Sequence, residues 1–197
     1  SEATKKDIVK ILKIPAAKIR VIYPAAHVRF KPQTQQTVAK IRQKYHLRGD
    51  YVFCVATQEP RKNLKGVIKA FKRLQPVKPE LRLVIAGKFG WGQWAARPGL
   101  GVKLLGFVPD EVQVLLYKIA SPPPDPSFYE GFGLPVLEAM SCGCPVVTSN
   151  ISSLPEIAGQ AGVLIDPAAV ANIAEGIKKT IKERKKLIAQ GFVQARR

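Results

Sequence analysis

The stretch that organises the chain is FYEGFGLPVLEAM, residues 128–140, in which a glycine turn separates two carboxylates, Glu130 and Glu138. Pro135 suits the first turn of a helix, because its missing N–H has no intrahelical partner there and its fixed φ is already helical. Glu130 therefore ends the incoming segment, whereas Glu138 lies about one turn into the new helix. Between them, the free N–H groups of a helix N-terminus and the helix dipole favour an anion.

This junction offers the groups that would bind a sugar attached to a phosphate. Its amides can donate to phosphate or sugar oxygens, and its glycines allow the backbone to approach a ligand closely. Its two carboxylates can accept hydrogen bonds from hydroxyl groups. The alternative interpretation is an ordinary loop-to-helix junction with two surface acids, because a short glycine motif needs structural context before it indicates a site.

Apolar runs and helical patterns alternate from residue 51 to the end of the chain. Helical patterns with apolar stripes lie between most of the runs and after the last one. The predicted fold class is therefore α/β, a Rossmann-like doubly wound parallel sheet with helices on both faces. The runs typical of buried parallel strands are residues 51–56, 81–87, 102–108, 145–148 and 163–165.

Local signals predict several element boundaries. Thr4 is a candidate N-cap for the first helix, and Asn63 can cap the helix after the first strand of the alternation. Residues 19–23 alternate like a short strand. Asp166, followed by Pro167, is a candidate N-cap with a first-turn proline for the helix after the last strand.

Two segments do not fit the alternation. Residues 122–126 have the sequence PPPDP where a buried strand is required. Proline cannot donate to a sheet ladder and belongs at edges or bulges, so this strand is either missing or edge-like. The glycine-rich segment from Lys88 to Gly101 fits no strand or helix pattern.

The charge composition favours anionic partners. The chain has 32 lysine and arginine residues against 14 aspartate and glutamate residues, a net charge of +18. Nucleotide phosphates, acidic lipid surfaces and nucleic acid would all be attracted. Most lysines are spread along the chain as on solvated helix faces, and no aromatic-basic ridge or recognition helix supports nucleic acid. Arg61 and Lys62 differ, because they lie in a loop after a strand, where open α/β sheets bind ligands.

The sequence also carries information about location. No run of about 18 apolar residues and no charged start before an apolar stretch occurs, so we expect neither a membrane span nor a signal peptide. Cys54, Cys142 and Cys144 lack zinc-like spacing and are expected to be buried in a reducing compartment. We expect a cytoplasmic protein, either free or peripheral to the inner face of the membrane. Both ends look like cuts, which predicts a fragment of a longer protein.

The segment from Glu130 to Glu138 resembles the E-x7-E signature of the retaining, nucleotide-sugar-dependent glycosyltransferases of family 4. These enzymes have the GT-B architecture, in which two Rossmann-like domains face each other across a cleft. The resemblance covers nearly the whole chain. Further similar segments are EPRKN at 59–63 (the phosphate loop), GFVP at 106–109 (the base-binding turn), and the continuation of the signature at 139–147 and 153–156.

The resemblance implies a domain organisation. Residues 1–12 resemble the end of the first GT-B domain, and residues 19–24 resemble the linker into the second. Residues 1–30 would then be a remnant of the N-terminal domain with the interdomain linker, and residues 31–197 the nucleotide-sugar-binding C-terminal domain. The isolated fragment would be inactive, because a GT-B active site needs both halves.

The resemblance also implies roles for matching residues. Lys62 would neutralise the donor diphosphate and Glu130 would contact hydroxyls of the transferred sugar, so these two are the implied catalytic residues. Glu138 would accept hydrogen bonds from the ribose. A covalent intermediate is not established for the family, so Glu130 is not assigned as a nucleophile. The implied substrate-binding set is Arg61, Lys62, Val108, Gly131, Phe132, Gly133, Leu134 and Glu138.

No metal or cofactor is required if Lys62 and the amides stabilise the charge of the leaving group, and no Asp-x-Asp motif occurs. The donor substrate would be a UDP- or GDP-sugar. The acceptor would be a glycan or lipid held mainly by the missing N-terminal domain, and an acidic membrane surface is a further candidate partner of the parent. One departure from the family is Thr57, where many members have an arginine, and Arg61 is a candidate substitute.

Two alternatives to a glycosyltransferase module stay open. One is a basic nucleic-acid-binding protein, suggested by the net charge of +18. The other is a nucleotide-sugar-binding domain that is inactive as cut, which is compatible with an active parent protein. Salt-steep binding to DNA without preference for a nucleotide would favour the first alternative.

Overall fold

The computed structural model describes residues 1–88, 90, 101–120 and 122–197. Most of the glycine-rich segment between Lys88 and Gly101, and also Ser121, therefore lie outside the described residues. The described helices are α1 (Glu2–Leu12), α2 (Gln35–Lys44), α3 (Leu64–Leu74), α4 (Asp110–Ile119), α5 (Leu134–Ser141), α6 (Leu154–Ala158), α7 (Val170–Lys182) and α8 (Arg184–Gln194). The described strands are β1 (Tyr51–Val55), β2 (Arg82–Ala86), β3 (Val102–Gly106), β4 (Pro124–Asp125), β5 (Val146–Ser149) and β6 (Gly162–Ile165). None of these helices combines the length and the apolar character needed to cross a membrane.

The strands form two parallel three-stranded sheets, with the orders β1-β2-β3 and β4-β5-β6. Alternate residues of β1 point to opposite sides. Phe53 packs among residues of α2, α4 and α5, whereas Val52 and Cys54 pack with residues of α3 and α7. Because both of its faces are covered, β1 is apolar throughout. The predicted Rossmann-like α/β fold with helices on both faces is confirmed.

The proline-rich segment forms the short strand β4 at the edge of its three-stranded sheet, so the expectation of an edge-like strand is confirmed. Pro124 is buried beside β1, where the Cys54 thiol donates to its carbonyl at 3.5 Å. On the other side, the Val147 N–H of β5 donates to the Pro123 carbonyl at 3.4 Å. The prolines provide acceptors but no donors. The backbone ladder is therefore interrupted between β1 and β4 while the two strands stay in contact.

The interruption lies at a topological switch point. From β1 the first sheet extends towards β2 and β3, and from β4 the second extends towards β5 and β6. Open α/β sheets bind ligands at the carboxyl ends of strands beside such a point. The loop with Lys62 follows β1, and the loop with Glu130 follows β4. The Phe128 N–H joins these loops by donating to the Arg61 carbonyl at 2.8 Å.

Two predictions for the first thirty residues are wrong. Helix α1 begins at Glu2 and is capped by Ser1, whose Oγ accepts from the Thr4 N–H at 3.1 Å, so Thr4 is not the cap. Residues 19–23 form no strand. An alternating pattern becomes a strand only beside a partner, and none of the described strands pairs with this segment.

Of the predicted caps of α3 and α7, the first is confirmed and the second is wrong. Asn63 caps α3 as predicted, since its Oδ1 accepts from the Gly66 N–H at 3.2 Å. Asp166 does not cap α7, which begins at Val170. It closes a turn instead, because its Oδ1 accepts from the Ala168 N–H at 2.9 Å, a bond typical of aspartate in turns.

Candidate functional site

The loops after β1 and β4 bring Lys62 and Glu130 into an ion pair, although they are 68 positions apart in the sequence. The Lys62 ammonium donates to Glu130 Oε1, and Arg61 NH1 donates to the same oxygen at 2.9 Å. The side chains of Lys62 and Glu130 are only 10% and 11% exposed, whereas that of Arg61 is 44% exposed. Shielding from solvent strengthens the Lys62–Glu130 pair relative to a surface salt bridge. Arg61 is also held by Glu59, whose Oε2 accepts from Nε at 2.8 Å.

The backbone of Glu130 is held by two serines that precede α6. The Ser152 hydroxyl oxygen accepts from the Glu130 N–H at 3.1 Å, and the hydroxyl donates to the Glu130 carbonyl at 2.6 Å. The Ser153 hydroxyl lies 2.8 Å from the carbonyl oxygens of both Glu130 and Phe132. These contacts fix the loop from which the Glu130 carboxylate projects.

The glycine turn ends at Gly133, the N-cap of α5, which has a φ of 107°. A Cβ there would lie 2.7 Å from a Leu154 methyl carbon, and the backbone would be strained as well, so glycine is required. Pro135 occupies the first turn of α5, as predicted. Within the described part of the chain, the N–H groups of residues 131–134 donate to no other group. They are therefore available to an anion or a sugar oxygen.

Glu138 lies on α5 and contacts α4 instead of the Lys62 loop. Gln113 Nε2 donates to its Oε2 at 2.9 Å. Burial, together with the negative charge of Asp110, raises the pKa of Glu138 to about 7, against the lowering effect of the Gln113 hydrogen bond. Val108, the residue implied to hold the base, is buried two residues before α4. The structure thus brings Glu130, Arg61 and Lys62 together and places Glu138 against α4, the helix that Val108 precedes.

We expect Glu138→Gln to change the pH dependence of stability. The folded-state pKa of about 7 lies above the ordinary value of 4.5. Protonated Glu138 therefore stabilises the fold below about pH 4.5, and this contribution is lost as the pH rises through 7. The variant cannot titrate, so it should gain on the order of 1–2 kcal/mol relative to the parent between about pH 4.5 and pH 8.5, after allowance for solvent screening. Urea unfolding at both pH values measures this gain.

Glu175→Gln is the matched control for this measurement, because Glu175 is an exposed glutamate of α7 paired with Lys178. Its free energy of unfolding should stay within about 0.5 kcal/mol of that of the parent at both pH values, because it loses only an exposed ion pair. A Glu138→Gln variant that behaves in the same way would contradict the raised pKa.

Asp125, at the end of β4, lies near the Lys62–Glu130 ion pair. The sequence analysis did not predict it as a site residue. Its Oδ1 accepts from the Ser127 hydroxyl, and its buried Oδ2 has no partner among the described residues. Burial raises the pKa of Asp125, against the lowering effects of the Lys62 charge and of the Ser127 hydrogen bond. An acid at a strand position was the only signal for it in the sequence.

The sequence analysis did not identify several residues that bond to the predicted site residues or lie beside them. Loop serines and helix-surface glutamines carry no local signal of their partners, because packing decides which groups meet. The missed residues are Glu59, Gln113, Asp125, Ser152 and Ser153. In the described ranges, no group of three or more His, Cys, Asp or Glu residues could hold a metal ion.

Comparisons with known proteins give matches over the whole chain. The family model described as glycosyl transferases group 1 matches residues 38–191. The chain is 37% identical over 210 residues to the O-antigen chain mannosyltransferase B of Escherichia coli, and the alignment covers 100% of this chain and 55% of that protein. The chain therefore spans about half the length of this relative.

Two solved structures share the fold. One is Anabaena HepE in complex with UDP-glucose, with a TM-score of 0.87 and 22% identity over 99% of this chain and 57% of that chain. The other is the C-terminal domain of LpcC, a glycosyl transferase group 1 family protein of Francisella tularensis. Its TM-score is 0.72, with 21% identity over 88% of this chain and 97% of that chain. At these identities the likeness concerns the fold.

Proposed function

The chain belongs to the group 1 glycosyl transferases, and from this premise we propose that it is the C-terminal, donor-binding domain of a retaining, metal-independent enzyme of family 4. Residues 31–197 would form that domain, and residues 1–30 would be the remnant of the N-terminal domain with the linker. The whole enzyme would move a sugar from a nucleotide-diphosphate sugar to an acceptor glycan or lipid. The observation that carries the proposal is the largely buried Lys62–Glu130 pair, next to available amides at the switch point.

The cations of this site are suited to a diphosphate. An ammonium has three N–H donors, and Lys62 gives one of them to Glu130 within the described residues, which leaves two for phosphate oxygens. Arg61 adds a second cation on the exposed side of Glu130, so it is the candidate for the arginine missing at Thr57. When the bond between the sugar C1 and the diphosphate oxygen breaks, these cations and the amides of residues 131–134 would stabilise the charge on the diphosphate.

Each glutamate keeps one carboxylate oxygen for a substrate hydroxyl. Lys62 and Arg61 both donate to Oε1 of Glu130, and Oε2 has no partner among the described residues. Gln113 donates to Oε2 of Glu138, and Oε1 is similarly available. Because Glu130 lies beside the cations and Glu138 contacts α4, the helix that Val108 precedes, Glu130 would bind the transferred sugar and Glu138 the ribose.

The two glutamates should therefore differ in their effect on binding. Removing a charge-assisted hydrogen bond costs about 1.5–3 kcal/mol, or roughly tenfold to a hundredfold in affinity. Glu138→Gln should weaken a bare nucleoside diphosphate and its sugar conjugate alike. Glu130→Gln should weaken only the sugar conjugate. Isothermal titration calorimetry with both ligands measures the difference.

A thermal-shift panel of GDP, UDP, GDP-mannose and UDP-glucose identifies the nucleotide to use in this titration. Duplex DNA is included in the panel to test the alternative of a nucleic-acid-binding protein. The name of the E. coli relative favours a mannosyl donor, whereas HepE was solved with UDP-glucose. Glu175→Gln is the control, because Glu175 is an exposed residue of α7, and it should leave both affinities unchanged. The opposite pattern for the two glutamates, or DNA binding without nucleotide preference, would exclude the proposed roles.

The proposal extends to the fragment and to its parent. Residues 1–197 would bind the donor without completing transfer, because the acceptor would be held mainly by the other half of the enzyme. The whole protein would act in polysaccharide biosynthesis, in the cytoplasm or at the inner face of the membrane. The excess of basic residues would favour an acidic membrane surface there.

A further inference from the structure

The carboxylate of Glu156 accepts hydrogen bonds from three donors near the N-terminus of the chain. Its Oε1 accepts from the Glu2 N–H at 2.9 Å and from the Tyr23 hydroxyl, and its Oε2 accepts from the Ala3 N–H at 3.3 Å. Glu156 lies in the first turn of α6, directly after the serines that hold the Glu130 loop. It therefore connects the N-terminal segment to the segment that supports the site.

Helix α1 depends on such polar contacts, because none of its residues is buried. The apolar side chains of Ile11 and Leu12 are 70% and 63% exposed. The carboxylate of Glu156 meets α1 at its N-terminus, where unpaired N–H groups and the helix dipole favour a negative charge. Burial alone would raise the pKa of Glu156, but the donors from Glu2, Tyr23 and Ala3 hold it below its ordinary value.

From this position α1 contacts both neighbours of Glu130. The hydroxyls of Ser1 and Thr4 donate to the Gly131 carbonyl at 2.8 and 2.9 Å. The Tyr129 hydroxyl donates to Asp7 Oδ2 at 2.8 Å. Movement of α1 would therefore displace the Gly131 peptide group and the Tyr129 side chain, which flank the residue proposed to bind the sugar.

Tyr23 forms a second connection to the glycine turn. Its ring centroid lies 6.0 Å from that of Phe132. With Glu156, the two rings line a cleft of about 350 Å³. The Glu156 carboxylate thus contacts the linker residue that packs on the turn as well as the helix that bonds to it.

We infer that Glu156 is a positioning residue for the sugar-binding part of the site. Its carboxylate holds α1 and Tyr23, and these hold the turn from Gly131 to Gly133, so that the N–H groups of the turn keep their direction. This inference rests on the proposed function. It predicts that loss of the carboxylate weakens the contact with the sugar but not the contacts of Lys62 and Glu138 with the nucleotide.

Glu156→Gln tests this inference in the chain of residues 1–197. One carboxylate oxygen becomes an NH₂ group, which cannot accept from α1. Affinity for the sugar nucleotide should fall about three- to tenfold, while affinity for the bare nucleoside diphosphate stays within about twofold. Amide exchange followed by NMR should accelerate at Ala3 and at Glu130, whose N–H groups donate to Glu156 and Ser152 respectively, and stay unchanged at Phe53 in the core strand.

Coupling of this kind is reciprocal, so the unmodified chain gives a second test. Addition of the sugar nucleotide should slow amide exchange at Ala3, although α1 is not proposed to touch the donor. Tyr23→Phe removes one of the three hydrogen bonds and keeps the ring, so it should weaken sugar-nucleotide binding by about twofold only. Glu175→Gln, at an exposed position of α7, should change neither affinity nor exchange.

The outcomes separate this inference from the proposed function. If the unmodified chain binds the sugar nucleotide and Glu156→Gln binds it equally well, with unchanged exchange at Glu130, the inference is overturned and the proposed function stands. If the unmodified chain binds no sugar nucleotide, both are overturned. If Glu156→Gln fails to fold, two other measurements test the inference: slower amide exchange at Ala3 when the sugar nucleotide is added, and weaker sugar-nucleotide binding by Tyr23→Phe. Absence of both effects overturns the inference.

Discussion

Gly87→Ala is expected to lower the free energy of unfolding by about 3 kcal/mol or more. Gly87 follows β2 with a φ of 148°, a conformation that L-residues rarely adopt, and a Cβ there would lie 1.9 Å from the Ala56 carbonyl oxygen. Neither the Ala56 carbonyl nor the Gly87 backbone can move at low energetic cost, because hydrogen bonds tie both residues to the neighbouring strands. The Ala56 N–H donates to the Ala86 carbonyl at 2.9 Å, and the Gly87 N–H donates to the Gly106 carbonyl at 2.8 Å.

Gly131→Ala is the control for this prediction. Nothing lies within 4 Å of the Cβ that it would add, and its φ lies outside the left-handed region. Both substitutions reduce the freedom of the unfolded chain equally, so the difference between them reports the folded state. Gly131→Ala should stay within about 0.5 kcal/mol of the parent in urea unfolding. Similar losses for the two variants would show that the contact with Ala56 relaxes.

Lys62→Ala is expected to weaken binding of a nucleoside diphosphate roughly tenfold to a hundredfold and to leave binding of the nucleoside almost unchanged. A charge-assisted contact to phosphate contributes about 1.5–3 kcal/mol, and the nucleoside has no phosphate to lose. The low exposure of Lys62 limits screening by solvent. Calorimetric titration with both ligands, at one ionic strength, measures the two affinities.

Lys65→Ala is the matched control, since Lys65 is an exposed lysine on the first turn of α3. It should change neither affinity by more than about twofold, because it is part of the solvated face. Lys62→Met, which keeps most of the apolar stem, guards against a packing defect in Lys62→Ala. Equal weakening of diphosphate and nucleoside by both Lys62 variants would mean that Lys62 does not contact the phosphates.

The sequence by itself determined the strands of the alternation from residue 51 onwards, most of the helices between them and the class of fold. The apolar run of β1 lies within one strand, and the Asn63 cap of α3 involves one helical turn. Both patterns can therefore be recognised without knowledge of the rest of the fold. The same is true of the glycine turn before Pro135. Glycine permits the left-handed conformation at the N-cap and proline fixes φ in the first turn, and both effects are local, so they place Glu130 before α5 and Glu138 on it.

The tertiary structure alone decided which polar groups meet. Lys62 pairs with Glu130 because β1 and β4 are neighbours. The sequence could not reveal that β1 and β4 lie side by side, since the prolines of β4 argued against a strand with neighbours on both sides. Burial and acceptance of hydrogen bonds from β5 compensate for the donors that the prolines lack. The raised pKa of Glu138 depends in the same way on α4. Periodicity and caps act over a few residues, whereas these contacts depend on the spatial order of strands and helices, which no local pattern encodes.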